Sequence, residues 1–206
     1  MNLVAERILV RPLGLVDYAL TVAAMRKFTL TRDEATPDEL WLLEHPPVYT
    51  LGQGADPAFG PGAGCPIPVV RSDRGGEITY HGPGQVVLYA LVDLARRGIK
   101  VKRFVFLLEQ AIIDLLGGRA ERRAGAPGVY VGEAKVAALG IRVSRGRAYH
   151  GVALNVDMDL SPFAAIAPCG HPGLAVTQLR DLGIAKTLTE AGIELANALR
   201  TRLEHA

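Results

Sequence analysis

Residues 126–156 read APGVYVGEAKVAALGIRVSRGRAYHGVALNV. Runs of β-branched, aromatic and small apolar residues at 128–131, 134–143 and 147–156 predict three strands joined by short turns. Ser144-Arg145-Gly146 fits a hairpin connection. Working outward, residues 85–91 (QVVLYAL) and 69–71 are further β-rich runs, flanking a glycine-punctuated turn at 74–84. Residues 39–44 (ELWLLE) and 48–51 (VYTL) predict short strands separated by Pro46-Pro47. The stretch 52–68 is rich in Gly and Pro and reads as a surface loop.

Three long helices and one short one surround these strands. Residues 102–116 (KRFVFLLEQAIIDLL) end at Gly117-Gly118, a C-terminal stop signal. In residues 15–30, Val16, Ala19, Leu20, Ala23 and Phe28 recur at helical spacing. Residues 187–203 predict a closing helix capped by Thr187 or Thr189, and Ser161-Pro162 predicts a short helix with Ser161 as its cap. Strands gathered in the middle, with helices before, between and after, give an α+β fold: a central mixed sheet with packed helices. With no repeat, low-complexity tract or long linker, residues 1–206 are expected to form a single domain.

Composition bounds the function. The chain is 49% hydrophobic and 21% charged with a net charge of +2, too balanced for a nucleic-acid footprint. No run approaches the roughly 20 apolar residues of a membrane span. The start of the chain has no apolar stretch of signal-peptide length, so a reducing cytoplasm is expected, where a thiol stays free. Cys65 and Cys169 make no disulfide framework. The C-x-x-C and H-x₃₋₅-H spacings of structural zinc are missing, and so is the phosphate-loop pattern. Neither a metal nor a cofactor is expected.

Two segments carry candidate chemistry. Residues 74–85 (RGGEITYHGPGQ) place four glycines around Tyr80 and His81, where another molecule's backbone or carbonyl can approach closely. Cys169 lies in APCGHPG, a rigid loop context that suits a nucleophile, with Gly170 N–H as an oxyanion donor. A small buried hydrophobe is the equally weighted alternative for Cys169. Because a thiol is only a few per cent ionised at neutral pH, the nucleophile needs a partner. His81, His150 and His171 are equivalent candidates by position, and Lys135 is another, within the small apolar run VGEAKVAALG. Spacing leaves the choice open.

With those residues in view, the chain resembles the octanoyltransferases of lipoate biosynthesis, also called lipoyl(octanoyl) transferases. The matching stretches are EHPPVYTLGQ (44–53), RGGEITYHGPGQ (74–85), APGVYV (126–131), KVAALGIRVSRGRAYHGVALNV (135–156) and PCG (168–170), in the family's order. The resemblance implies a biotin/lipoate protein ligase-like catalytic domain. It implies an acyltransferase that moves octanoyl from octanoyl-acyl carrier protein to a lysine of a lipoyl domain, as in 2-oxoacid dehydrogenases or the glycine cleavage H protein. Carried over by motif, Cys169 is the acyl-thioester nucleophile and Lys135 lowers its pKa. The substrate-binding residues are Arg74, Gly75, Gly76, Glu77, Ile78, Thr79, Tyr80 and His81, then Ala138, Leu139 and Gly140, then Gly151, Val152 and Ala153. Alternatives are an amidotransferase moving lipoyl or octanoyl groups between proteins, and an ATP-dependent lipoate–protein ligase.

The acyl chain is expected in an apolar slot lined by Ala137, Ala138, Gly140, Gly151 and Ala153. Each buried methylene contributes about 0.8 kcal/mol, so two change binding roughly fifteenfold. Acyl carrier proteins are acidic, and two basic clusters are candidates to receive one: Arg96, Arg97, Lys100, Lys102 and Arg103, or Arg142, Arg145 and Arg147.

Overall fold

A computed structural model of the chain describes residues 7–166 and 174–206. Strands β1 (Ile8–Leu15), β2 (Asp38–Glu44), β6 (Gln85–Asp93), β7 (Glu121–Arg123), β8 (Ala126–Val131), β9 (Ala134–Ser144) and β10 (Arg147–Asn155) form one sheet in the order β1-β2-β6-β10-β9-β8-β7. Only the β1–β2 pair is parallel within it. A second sheet of three strands has β3 (Val48–Leu51) between β4 (Val69–Arg71), parallel, and β5 (Ile78–His81), antiparallel. The helices are α1 (Tyr18–Thr31), the single turn α2 (Leu94–Arg97), α3 (Val101–Leu115) and α4 (Leu188–Glu204). The architecture is the expected mixed sheet with packed helices, to which the small second sheet is an addition.

Strand β6 shows why the large sheet is covered on both sides. All nine residues of QVVLYALVD are buried, the continuous apolar pattern of a strand with two dry faces. Val86, Leu88, Ala90 and Val92 pack with Leu107, Leu108 and Ile112 of α3 and Leu195 and Leu199 of α4. The alternate residues Val87, Tyr89 and Leu91 pack with Tyr18, Val22 and Met25 of α1. Helix α3 has no side-chain cap at Lys100, which forgoes about 1 kcal/mol. Its buried leucines and isoleucines contribute about 2 kcal/mol each, so packing rather than capping holds it. Helix α4 has both, with Thr187 and Glu190 forming a reciprocal capping box.

The structure corrects several expectations. The first helix begins at Tyr18, capped by the Asp17 side chain accepting from Leu20 N at 2.9 Å, and Leu15 ends strand β1 instead. Pro12 and Gly14 conceal β1 in the sequence; it lies at the sheet edge, where a missing N–H is tolerated, and its register slips there. The glycine-punctuated turn at 74–84 contains a strand, β5, whose pairing with β3 outweighs its flanking glycines. Residues 161–165 form a 3₁₀ turn capped at Leu160, with Asp159 rather than Ser161 supplying the side-chain bond, to Ser161 N at 2.9 Å. Among the described residues, no helix is long and apolar enough to cross a membrane.

Candidate active site

Strands β6, β10 and β9 lie side by side, and their register sets small residues next to one another. Val87, Ala153 and Ala138 form one cross-strand row, and Tyr89, Gly151 and Gly140 form the next. With so little side chain on β9 and β10, the sheet surface under α1 leaves a cavity of about 330 Å³. The loop at 74–77 closes one side, tied down by Gly75 N donating to Ile141 O at 2.9 Å. A side chain at 140 would collide with this loop, since a Cβ there would stand 2.8 Å from Gly75 O.

Of the residues expected to bind substrate, Arg74, Gly76, Glu77, Ile78, Thr79, His81, Ala138, Leu139, Gly140, Gly151, Val152 and Ala153 line this cavity, as does Lys135. Gly75 and Tyr80 do not: the Tyr80 ring packs with Tyr49 and Phe163. Ala137, expected in the slot, faces the opposite side of the sheet and belongs to the core under α3 and α4. Cys169, Gly170 and His171 lie outside the described residues. The chain on both sides of 167–173 borders the cavity, through Phe163 before it and Leu174 and Val176 after it.

Lys135 reaches the cavity because β9 carries a bulge. Ala137 pairs with Val129 and Lys135 with Tyr130, so two steps on β9 match one on β8 and Val136 is the extra residue. Strict alternation would put Lys135 on the core side with Ala137; the bulge buries Val136 and Ala137 together and re-aims the lysine. The Lys135 ammonium donates to Pro127 O at 3.3 Å and lies 5.2 Å from the centre of the Tyr130 ring. The main chain of Lys135 is also engaged. Its N–H donates to Ala175 O at 2.8 Å, and its carbonyl accepts from Thr177 N at 3.0 Å.

The histidines now separate by environment. His81 is buried, and burial, reinforced by the nearby His45, pushes its pKa down to about 3. It is a neutral ring whose Nδ1 lies 2.7 Å from Gln85 Oε1. His150 is fully buried, with Nε2 at 2.9 Å from Asp73 Oδ1; burial lowers its pKa, against the opposing pull of Asp73. Asp73 also accepts from Arg26 Nε at 2.9 Å and Tyr149 Oη at 2.5 Å. Burial raises the Asp73 pKa, but the donors His150, Arg26 and Tyr149 outweigh it and hold the carboxyl well below the usual range. Tyr149 is pushed up to about 12 by burial and by its bond to Asp73. Asp73 thereby pins the start of the glycine loop to β10 and α1.

Arg74 acts on the same loop. Its guanidinium donates to Thr50 O at 2.7 Å, Thr50 Oγ1 at 2.8 Å and Gly75 O at 2.9 Å, joining the loop to β3. Two N–H groups of the glycine-punctuated segment are already used within the protein, Gly75 N by Ile141 O and Gly84 N by Glu44 Oε2 at 2.8 Å. Two of the expected basic clusters are also divided. Arg96 and Arg97 are bound to the buried Asp38, and Arg147 to Asp93. Lys100, Lys102, Arg103, Arg142 and Arg145 remain on the surface.

Tyr18, Val87, Tyr89, Asn155, Phe163, Leu174 and Val176, with Gly125, Ala126, Pro127 and His150, complete the lining without having been expected there. For Val87 and Tyr89 the signal was present as the alternation of β6, but using it requires the register with β10. Asn155 had no sequence signal beyond its place at a strand end.

Comparison with known proteins gives the family and the fold. The family model for the lipoyl protein ligase A/B catalytic domain matches residues 17–198. An octanoyltransferase of Dechloromonas aromatica is 58% identical over 198 residues, covering 95% of this chain and 96% of the relative. The fold is similar to that of a lipoate-protein ligase A bound with ATP, at a TM-score of 0.76 and 15% identity, covering 97% of this chain and 85% of that one. It is similar also to a biotin protein ligase from Aquifex aeolicus in complex with biotin and ATP, at a TM-score of 0.55 and 11% identity, covering 95% and 70%. The chain belongs to the octanoyltransferases of the lipoyl protein ligase A/B catalytic domain family.

Proposed function

We propose that this chain, acting in the cytoplasm as a single catalytic domain, transfers octanoyl from octanoyl-acyl carrier protein to a lysine of lipoyl domains. These are the domains of 2-oxoacid dehydrogenases and the glycine cleavage H protein. The observation that carries the reading is the cavity itself. It is floored by alanines and glycines, walled by the glycine loop, and has the Lys135 ammonium at its side, with the chain on both sides of 167–173 bordering it.

The transfer runs in two steps. The Cys169 thiolate attacks the carrier thioester carbonyl, the carrier sulfur leaves, and the Lys135 ammonium gives that sulfur its proton. The acceptor lysine amine then attacks the S-octanoyl-Cys169 carbonyl, neutral Lys135 takes the amine proton, and the Cys169 thiolate leaves. A cation beside a thiol favours the thiolate, and covalent catalysis divides the reaction into two easier parts. Thioester to thioester is nearly isoenergetic and thioester to amide is downhill, so ATP has no part in it. Arg74, Gly76, Thr79 and the rows from Val87 to Gly140 hold the acyl chain.

The test is transfer from octanoyl carrier protein to a lipoyl domain without ATP. Wild type transfers, Cys169→Ala does not, and Lys135→Ala loses about 100-fold or more. Near-normal turnover by Cys169→Ala, or a requirement for ATP, overturns the reading.

A further inference from the structure

One wall of the cavity is backed by buried hydrogen bonds with a fixed direction. Gln85 Nε2 donates to Tyr80 O at 3.3 Å and to Asn155 Oδ1 at 2.9 Å. Asn155 Nδ2 donates to Thr177 O at 3.0 Å. The two main-chain carbonyls can only accept, so they fix which way round both amides stand. Gln85 Oε1 is then left to accept from His81 Nδ1–H, at 2.7 Å. His81, Gln85 and Asn155 are 5%, 1% and 4% exposed, so no bulk water substitutes for a lost partner.

Beyond Asn155 the run continues into the site. Thr177, whose carbonyl Asn155 holds, donates its own N–H to Lys135 O at 3.0 Å, and Lys135 N donates to Ala175 O at 2.8 Å. Val176 between them is bridged in parallel to Lys135. The Asn155 carbonyl accepts from Leu179 N at 3.1 Å, so this one residue grips the segment twice. The position of Lys135 along its bulged strand is thus set against residues 175–177, and the position of 175–177 is set by Asn155.

We propose that Asn155 is a positioning residue for the transfer reaction: its amide fixes Thr177, and through Thr177 the main chain of Lys135, so that the Lys135 ammonium stands correctly in the cavity. The proposal rests on the reading of Lys135 as the proton carrier and Cys169 as the nucleophile. Its consequence is that a residue assigned to no chemical step governs how well the thiolate forms and how fast the acyl group moves.

The test compares wild type with Asn155→Ala and Asn155→Thr. The threonine is close to asparagine in size, adds no charge and is too short to span Gln85 Nε2 and Thr177 O together. Steady-state transfer and the pH midpoint of Cys169 alkylation are measured, with peptide masses separating Cys169 from Cys65. A misplacement of about an ångström predicts a fall in kcat of about 10- to 100-fold. KM for octanoyl carrier protein should change by less than about threefold, since Asn155 is one of many residues lining the cavity and both its amide atoms are held within the protein. The alkylation midpoint should move to higher pH, which simple loss of stability would not cause. Folded Asn155→Ala with wild-type kcat and an unmoved midpoint overturns the proposal; if that variant does not fold, Asn155→Thr decides by the same criteria. Wild-type protein whose Cys169 takes no octanoyl group refutes the proposed function itself, whereas normal wild-type acylation with an unaffected variant refutes only the role of Asn155.

Discussion

His81 stands between the loop that closes the cavity and the bonds behind its wall, and it does so as a neutral ring. Its sequence neighbours suggest a binding position, but sequence offers His81, His150 and His171 as equals. Burial and partners are what distinguish them, and both depend on contacts far along the chain, such as that of His81 with Thr50 and that of His150 with Asp73. The depressed pKa has a thermodynamic consequence with a definite sign. Unfolded, the ring takes a proton near its ordinary value of roughly 6.5; folded, it resists until about 3. Its contribution to stability is therefore complete above the unfolded value and is lost as pH falls through that window. The expected loss from His81 alone is up to about 1.4 kcal/mol per pH unit below roughly 6. His45 and His150, whose pKa values burial also lowers, add in the same direction. Urea unfolding at pH 7.5 and pH 5.5 should show a lower midpoint at the acid value, with a smaller difference in His81→Gln. Equal differences in both proteins would contradict this account of His81.

Strand β9 shows how far periodicity alone can be followed. Its length and partners are legible in 126–156, and so is the hairpin at Arg145 and Gly146, whose φ values of 52° and 76° suit a tight two-residue turn. The bulge at Val136 is not legible, because Val136, Ala137 and Ala138 are all small and apolar and any of them could be the extra residue. Yet the bulge decides whether Lys135 faces the core or the cavity. Similarly, Pro12 and Gly14 hide an edge strand, and the glycines around β5 make a paired strand look like a turn. Helix α4, by contrast, is readable from Thr187 and Glu190, since its cap is local. Gly128 tests the bulge as an element. Its φ is 132°, and a Cβ there would stand 2.7 Å from Ala137 O and 3.2 Å from Lys135 Cε. Gly128→Ala should therefore displace both the β8–β9 pairing and the lysine stem, lowering kcat about tenfold or more. An unchanged kcat in the folded variant would show that the bulge does not control Lys135.

At the scale of the whole molecule, one sheet with two covered faces does two different jobs. The face under α3 and α4 is a packed core of leucine, isoleucine and valine. The other face is left thin along β9 and β10, so that α1, the glycine loop and the small sheet enclose a cavity rather than a core. The α+β class follows from strand and helix runs that any reading of the chain shows, whereas the second sheet depends on pairings between distant short segments such as Tyr49 with Tyr80. The central claim is that the acyl group passes through a covalent bond to this chain. Intact-protein mass measurement after mixing with octanoyl-acyl carrier protein alone, with no acceptor, tests it most directly. The account predicts one added octanoyl group, located on Cys169, removed by hydroxylamine and absent in Cys169→Ala. Transfer to a lipoyl domain with no such adduct at any time would contradict it.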